Sequence, residues 1–255
     1  MQKITIIGTG NIAWHFSRGI AASSDFELAQ LIGRSPEAPA GFEEITAYTS
    51  QQEQLQKTDI IIIAVADAAI VNIVENLKNT RALVVHTSGS MQMSILENLP
   101  NYGVLYPLQT FTKSRSVDLK TVPFCIEASD AKNLEKIQNL ALALSGNVKQ
   151  MDSKKRADVH FSAVLANNFS NHLLTLTSHY CETHDLSFEL LKPLLQETVR
   201  KAFDIGPLQA QTGPARRGDQ ETIKKQLAGI DDDQLKQIYI SLTNSILKTY
   251  GKEEL

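Results

Sequence analysis

The sequence has few cysteines, little net charge of either sign and no long apolar run. Its two cysteines, Cys125 and Cys181, fit neither a disulfide framework nor a zinc site, so a reducing, cytoplasmic setting is expected. The formal net charge is −3 and no basic block occurs, which argues against nucleic acid or an anionic membrane as a partner. The longest apolar run, residues 60–66, is far too short to cross a bilayer.

Up to residue 152 the chain alternates short β-branched runs with helical segments. The run Ile60–Val65 is apolar at every position, which is typical of a parallel strand covered by helices on both faces. This alternation predicts an α/β domain built on a doubly wound, Rossmann-type parallel sheet. The predicted strands are Lys3–Ile7, Phe26–Ile32, Ile60–Val65, Ala82–His86, Gly103–Leu105, Phe124–Glu127 and Asn147–Gln150. The predicted helices are Ile12–Ala22, Asp67–Leu77, Gln92–Leu99 and Ala131–Leu144.

The remainder of the chain shows no strand pattern and is predicted to form an all-α C-terminal domain. One long helix is expected over residues 154–183. A second helix is expected over Phe188–Ile205, with Ser187 as its N-cap. Asp219 and Asp232 stand where they can cap two last helices.

A glycine-rich turn separates the first predicted strand from the first predicted helix. It has the pattern G-x-G-x-x-A, formed by Gly8, Thr9, Gly10, Asn11, Ile12 and Ala13. Gly8 permits a tight turn, and Gly10 allows a pyrophosphate to approach the backbone. The free amides and positive dipole at the helix N-terminus then favour phosphate. The turn therefore predicts dinucleotide binding by residues 8–12, the alternative being a tight turn without a ligand.

The residues after the second strand indicate which dinucleotide is expected. Enzymes that use NAD usually carry an acidic residue there, which binds the ribose 2′-hydroxyl group. This chain instead has Gly33, Arg34 and Ser35. An arginine can pair with the 2′-phosphate of NADP, and a serine adds a hydroxyl donor. NADP is therefore expected rather than NAD, unless Arg34 is only a solvated loop residue.

Two further strand ends are expected at the same edge of the sheet. Val65 and Ala66 follow one strand, while Thr87 and Ser88 follow the next, and all four are predicted to contact the cofactor. Alternatively, and with equal weight, the hydroxyl groups of Thr87 and Ser88 cap the following helix. Asp67 is interpreted as a helix N-cap near the cofactor rather than as a catalytic base.

His160, Asn167 and Asn171 are the candidate catalytic residues. Their spacing of i, i+7 and i+11 places them on one face of an α-helix. A histidine titrates near neutral pH, as proton donation during hydride addition to C=O or C=N requires. The alternative for His160 is a core-edge histidine satisfied by backbone groups. No metal site is predicted, since the other histidines of this half show no ligand geometry.

The segment Gly206–Gly218 has no helical or strand periodicity, and long loops of this kind are often functional. Arg216 and Arg217 within it are candidates for binding a substrate carboxylate or phosphate. Alternatively, one of them pairs with Asp219 and the other is solvated. Gln109 is a further candidate substrate-binding residue.

The glycine turn, the Gly-Arg-Ser ending and the apolar strand resemble the N-terminal domain of deazaflavin-dependent NADP reductases. With its helical second half, the whole chain is similar to the 6-phosphogluconate dehydrogenase superfamily. The segments His86–Gly89, Tyr106–Phe111 and Gly213–Asp219 resemble bacterial oxidoreductases that join a Rossmann domain to a family-specific helical domain. The resemblance implies this fold and an NADP cofactor, and leaves the substrate open.

One residue departs from the superfamily pattern. β-Hydroxyacid dehydrogenases of this superfamily carry a catalytic lysine in a K-x-x-N-N motif, and the matching position here is Val164, followed by Asn167 and Asn168. Because valine cannot exchange a proton, the lysine's acid–base role does not carry over. The asparagines remain available to orient a substrate.

These observations favour an NADPH-dependent reductase of a small, anionic carbonyl or imine compound. A non-catalytic NADP-binding sensor or scaffold and a deazaflavin-linked NADP reductase are the alternatives. Residues 1–152 are assigned to NADP binding, and residues 153–255 to substrate binding and dimerisation. The apolar residues of the last helices predict a homodimer formed through this half; they include Ile238, Ile240, Leu242, Ile246 and Leu247.

Overall fold

The computed structural model describes residues 1–42 and 44–255 and divides into two compact units. The first unit is Met1–Asn167 and the second is Asn168–Leu255. The sequence places the boundary after residue 152, whereas the first unit continues through the next helix. The reason is Arg156, which is buried against the strands and loops of the first unit.

The first unit contains a single eight-stranded sheet in the order β3-β2-β1-β4-β5-β6-β7-β8. Its strands are β1 (Gln2–Ile7), β2 (Phe26–Ile32), β3 (Ala47–Thr49), β4 (Ile60–Ile63), β5 (Leu83–His86), β6 (Tyr102–Pro107), β7 (Phe124–Ala128) and β8 (Val148–Gln150). All neighbours are parallel except β6 and β7, which are antiparallel. The Rossmann-type sheet is thus confirmed, with one antiparallel pair that the sequence does not predict.

The described residues of the first unit form four α-helices, namely α1 (Asn11–Ala21), α2 (Asp67–Glu75), α3 (Ala131–Leu144) and α4 (Ser153–Ala163). The predicted helix Gln92–Leu99 is wrong, since only a short 3-10 turn forms at Met93–Leu96. In that region the Ser88 hydroxyl accepts hydrogen bonds from the amides of Ser90 and Met91, which favours a turn over a helix.

The isoleucines of β4 show how the core is divided by the sheet. Ile60 and Ile62 pack in the cluster that contains Phe16 of α1, whereas Ile61 and Ile63 pack in the cluster that contains Val74 of α2. All four isoleucines are at most 1 % exposed. A strand whose successive side chains point to opposite faces needs apolar residues throughout when helices cover both faces.

The second unit is all-α in the residues described, as the sequence predicts. Its helices are α5 (Ser170–Thr183), α6 (Lys192–Ile205), α7 (Pro207–Ala210), α8 (Pro214–Arg217), α9 (Gln220–Ala228) and α10 (Asp233–Thr249). Asp219 and Asp232 cap α9 and α10 by accepting the amide protons of Thr222 and Leu235, at 3.1 and 2.6 Å. Both predicted caps are confirmed.

Three details of the helical half differ from the sequence prediction. The single helix expected over residues 154–183 is divided by a π-helical segment, Val164–Phe169. Ser187 precedes a short 3-10 turn and its side chain makes no capping hydrogen bond. The aperiodic segment Gly206–Gly218 contains two single helical turns, α7 and α8, each begun by a proline that follows a glycine.

No helix among residues 1–42 and 44–255 is long and apolar enough to cross a membrane.

Candidate active site

The carboxyl ends of three central strands lie at one level of the sheet. Ile7 of β1 pairs with Ile63 of β4, which pairs in turn with His86 of β5. The turns that follow these strands therefore begin side by side, at the edge where open α/β sheets bind their ligands.

The backbone conformation and the packing of the protein require glycine at position 8. Its φ is +127°, a conformation that side-chain-bearing residues rarely adopt, and a Cβ placed there would lie 2.1 Å from the carbonyl oxygen of Ala64. The same Cβ would be 3.2 Å from Cγ1 of Val65. The first turn is therefore pressed against the end of β4, which places the predicted residues Gly8 and Val65 together.

Neither the backbone conformation nor the packing of the protein requires glycine at position 10. Its φ of −77° is accessible to any residue, and a Cβ there would have no described atom within 4 Å. The first turn of α1 has no acidic residue, and its N-cap position, Gly10, makes no side-chain hydrogen bond to the amides that follow. An open backbone cradle at a positive helix end fits a diphosphate, for which a Cβ would be an obstacle. Thr9, Asn11 and Ile12 lie around this cradle.

The end of β2 lies next to the glycine turn. A Cβ on Gly33 would be 2.4 Å from the Tyr48 hydroxyl oxygen and 2.8 Å from Cγ2 of Thr9. The Tyr48 hydroxyl donates to the carbonyl oxygen of Ser35 at 2.6 Å, which fixes the backbone beside Arg34. Arg34 is exposed and forms no ion pair with any described residue. The structure therefore brings Thr9 to the predicted Gly33–Ser35 segment.

The hydroxyl groups after β5 bind backbone and neighbouring side chains. The Thr87 hydroxyl donates to the Ile63 carbonyl at 3.3 Å, while Ser88 accepts two amides of its own turn. Ala66, not Asp67, is the N-cap residue of α2, so the interpretation of Asp67 as a cap is wrong. The Asp67 carboxylate instead accepts the Ser90 hydroxyl at 2.5 Å, because Ser90 lies beside the N-terminus of α2.

His160 lies over the turn that follows β5. A Cβ on Gly89 would be 2.6 Å from Nδ1 of His160 and 2.8 Å from Cζ of Tyr106, so only glycine fits beneath both rings. The Tyr106 hydroxyl and the His160 Nδ1 are 3.1 Å apart and form a hydrogen bond. Burial, with a smaller contribution from Cys125, raises the pKa of Tyr106 to about 12. Tyr106 therefore stays protonated near neutral pH, and its hydroxyl is available to donate to Nδ1 when the imidazole carries its proton on Nε2.

A buried arginine fixes α4 beside this pair. Arg156 is 1 % exposed and its guanidinium forms an ion pair with Glu127 of β7 and a hydrogen bond with the Met91 carbonyl. Ser153 donates to Glu127 at 2.7 Å and accepts the Met93 amide at 2.9 Å. This network joins the start of α4 to both β7 and the turn after β5, and thereby positions His160 one turn further along.

His86 lies at the base of the site and is fully buried. Burial and, secondarily, the positive charge of Arg156 lower the pKa of His86 to about 4, although Asp67 and the Gln92 backbone partly oppose the shift. His86 is therefore neutral near pH 7. Its Nδ1 accepts the Ser88 amide at 3.2 Å and so helps to shape the turn.

The structure does not support the prediction that the three candidate catalytic residues share one helical face. The i, i+7, i+11 spacing assumes one uninterrupted α-helix, whereas Asn167 lies in the π-helical segment, whose wider turns change the angular spacing. His160 belongs to the first unit and is half-buried, and Asn171 belongs to the second and is exposed. The catalytic roles of both asparagines remain predictions.

The predicted substrate-binding residues each form a hydrogen bond or an ion pair with neighbouring residues. Gln109 is exposed and accepts the Thr110 amide at 2.8 Å. Arg216 donates to the carbonyl oxygens of Gln209 and Gln211. Arg217 lies 3.9 Å from the carboxylate of Asp219 in an exposed ion pair, which is the alternative pairing allowed by the sequence.

Glu127 and Arg156 have no signal in the sequence that marks them for this site, and Tyr106 is marked only as the first residue of a segment that resembles bacterial oxidoreductases. Tyr106 stands within an apolar strand, and Arg156 within a charged first turn where solvation is expected.

Among the described residues, no cluster of three or more histidine, cysteine or acidic side chains is suited to hold a metal ion.

Comparison with known families agrees with this division of the chain. A family model described as "NADP oxidoreductase coenzyme F420-dependent" matches residues 3–90. A second model, described as a domain of unknown function (DUF2520), matches residues 122–246. No curated protein matches the chain.

Solved structures extend the match over the whole chain. A candidate NADP oxidoreductase from Bacteroides fragilis is 33 % identical with a TM-score of 0.91, over 97 % of this chain and 98 % of that one. The fold is shared with a Plasmodium falciparum pyrroline carboxylate reductase solved with NADP bound (14 % identity, TM-score 0.60, 98 % and 97 % covered). It is also shared with a Myxococcus stipitatus imine reductase variant in complex with NAD⁺ (15 % identity, TM-score 0.64, 100 % and 97 % covered).

The resemblance drawn from the sequence is thus confirmed at both ends of the chain. The glycine turn and the cradle at Gly10 lie within the first matched domain, and α5 to α9 lie within the second. The chain belongs to the oxidoreductase family that it shares with the Bacteroides fragilis protein, in which an NADP oxidoreductase domain of the coenzyme F420-dependent type precedes a DUF2520 domain.

Proposed function

We propose that the chain is an NADPH-dependent reductase of a small, anionic carbonyl or imine compound. The observation that carries this proposal is the hydrogen-bonded pair of Tyr106 and His160 over Gly89, at the strand edge that also holds the glycine turn. A proton donor beside a dinucleotide cradle is what reduction of C=O or C=N requires.

The open backbone at Gly10 and the first amides of α1 would hold the diphosphate of the cofactor. When bound, the reduced nicotinamide supplies the hydride. We favour NADPH over NADH because Arg34 is exposed and directly follows Gly33, which lies against Thr9, and because the end of β2 carries no carboxylate that would repel a 2′-phosphate.

His160 is the proposed proton donor, acting through Nε2. A Tyr106 hydroxyl that donates to Nδ1 would leave the proton of a neutral imidazole on Nε2, from which it can pass to the substrate oxygen or nitrogen. The pair therefore supplies the acid function that Val164 cannot supply in place of the superfamily lysine.

Binding of an anionic substrate is assigned to the predicted cationic and amide side chains. Arg217 is the better of the two adjacent arginines, because it is exposed and its ion pair with Asp219 is long, whereas Arg216 is engaged by two backbone carbonyls. Asn167 and Asn171 are retained as candidates that orient the substrate. Gln109 is retained as a further contact.

We also propose a homodimer formed through the second unit, although through different helices from those expected. Leu247 of α10 is fully buried within its own unit, together with Ala215 and Ile223. Leu242 of α10 is exposed, but a larger group of exposed apolar residues lies on and around α6, which buries none of its residues; the group includes Leu186, Leu190, Leu194, Val199 and Phe203. Phe203 alone is 89 % exposed, and a second copy is the partner proposed to cover this surface.

The proposal is tested by following NADPH oxidation with a panel of 2-oxo acids and cyclic imino acids. Substitution His160→Ala is expected to lower kcat by about two orders of magnitude or more, because it removes the proton donor. Tyr106→Phe is expected to lower kcat less and to change its pH dependence. His172→Ala, an exposed histidine of α5, is the matched control and should leave the rate unchanged.

Two results would contradict the assignment. One is the absence of NADPH oxidation with every member of the panel. The other is full activity in the His160→Ala variant, which would show that the proton comes from elsewhere.

A further inference from the structure

A pocket of about 470 Å³ lies on the flank of α1, within the first unit. It is formed by α1, by the loop between β6 and β7, and by the end of α3. Its volume is in the range of small-molecule binding sites. Its lining includes Trp14, Arg18, Lys113, Arg115, Asp118 and Lys120.

The pocket concentrates positive charge. Among residues 1–42 and 44–255, four cationic side chains and one acidic one, Asp118, line it. The carboxylate of Asp118 is used locally, accepting the Lys120 amide at 3.0 Å, and the Lys120 ammonium donates to the Ala143 carbonyl at 2.8 Å. The other three cations, Arg18, Lys113 and Arg115, form no ion pair with a described residue.

Two of these cations are held in place by aromatic rings. The Arg18 guanidinium carbon lies 3.3 Å from the centre of the Trp14 ring. The Lys113 ammonium lies 5.2 Å from the Phe42 ring and 5.8 Å from the Trp14 ring. Cation–π contacts of this kind orient the charges without neutralising them.

Part of the pocket lining is apolar and closely packed. A Cβ on Gly19 would be 2.7 Å from Cδ1 of Leu119 and 2.9 Å from Cδ2 of Leu144, and all three residues line the pocket. The two leucines therefore pack directly against α1. The lining combines cations with apolar groups, which suits a ligand that carries both anionic and carbon-rich parts.

We infer that this pocket binds a small organic polyanion that carries two or three carboxylate or phosphate groups. Like charges gathered in one concavity repel each other, and a multivalent anion relieves this repulsion while accepting hydrogen bonds from guanidinium and ammonium groups. The pocket shares no lining residue with the glycine turn or with Arg34. The inference therefore stands independently of the proposed reductase activity.

The test uses the full-length chain and two probes, citrate and inorganic pyrophosphate, in isothermal titration calorimetry. We expect saturable binding of at least one probe with one site per chain. The exposed double substitution Lys113→Gln/Arg115→Gln should weaken it by about tenfold or more, because two charged contacts are lost. Arg34→Gln is the matched control and should leave the affinity unchanged. Tighter binding of citrate indicates a carboxylate ligand, and tighter binding of pyrophosphate indicates a phosphorylated one.

Trp14 provides a second readout, because it is the single tryptophan of the chain. An anion that draws Arg18 towards itself should change the Trp14 emission in the wild type and in Arg34→Gln, but far less in the double variant. The inference is overturned if neither probe binds. It is also overturned if the double variant binds as the wild type does, whether or not Arg34→Gln loses affinity, because the anion then occupies another site, such as the dinucleotide cradle at Gly10.

Discussion

The ion pair between Glu127 and Arg156 offers the sharpest test of how the first unit is held together. Arg156 is almost completely buried and the Glu127 side chain is 16 % exposed. Substitution Glu127→Gln keeps the shape of the side chain but removes the counter-charge. The Arg156 guanidinium is then left as a buried charge without a carboxylate, and Ser153 loses a charged acceptor.

Removing one partner of a buried pair typically costs 3–5 kcal/mol, so a loss of about 3 kcal/mol in the free energy of unfolding is expected. For a unit of this size, that corresponds to a decrease in Tm of roughly 6–12 °C. The double variant Glu127→Gln/Arg156→Met should lose less than the sum of the two single variants, by at least about 1 kcal/mol, because it leaves no buried charge unpaired.

Urea unfolding followed by circular dichroism measures these differences. Glu75→Gln is the control, because it removes the exposed ion pair with Lys78 and should change the free energy of unfolding by less than about 0.5 kcal/mol. If the free energy of unfolding of Glu127→Gln lies within about 1 kcal/mol of the wild-type value, Arg156 is reached by water in solution. The network then does not hold α4 in place, and Arg156 does not position His160.

Two further predictions concern the turn after β5. Because the pKa of His86 is lowered to about 4 from 6.5, the unfolded chain takes up its proton first as the pH falls. The wild type should therefore lose up to about 3 kcal/mol of unfolding free energy between pH 6.5 and 4, and His86→Gln should show a flatter curve in denaturant titrations across this range; equal slopes would contradict the assignment. Gly89→Ala should displace the rings of His160 and Tyr106 and lower kcat by about tenfold or more in the NADPH oxidation assay, with NADPH affinity within about threefold of the wild type. An unchanged kcat would show that the contact between these groups does not matter for the rate.

Local patterns in the sequence were sufficient to predict most of the fold. The apolar strand at Ile60, the glycine turn and the caps at Asp219 and Asp232 each carry their own signal within a few residues. The three-residue strand Ala47–Thr49 was missed because it is short and lies at the sheet edge, where neither face needs an apolar run. The antiparallel β7 was missed because strand direction depends on the connection, not on the strand's composition.

The candidate site could be predicted only in part, for a related reason. The cofactor cradle is contiguous in sequence, so its glycines are visible as a motif. The pair formed by Tyr106 and His160 joins residues 54 positions apart, and Arg156 meets a carboxylate 29 positions away. Such contacts depend on the folded topology. The π-helical segment likewise has no signature that separates Val164–Phe169 from an ordinary helix.

The backbone at Gly10 is expected to receive the diphosphate of the dinucleotide, and calorimetric titration with NADPH measures this binding without any substrate. A Cβ at position 10 would have no described atom within 4 Å, and a φ of −77° suits a residue that carries a side chain, so Gly10→Val is expected to fold as the wild type does. We expect the wild type to bind NADPH and Gly10→Val to bind it about a hundredfold or more weakly, since the side chain occupies the diphosphate path. Equal affinities in the two proteins, or no binding heat in the wild type with NADPH or NADH, would contradict the account.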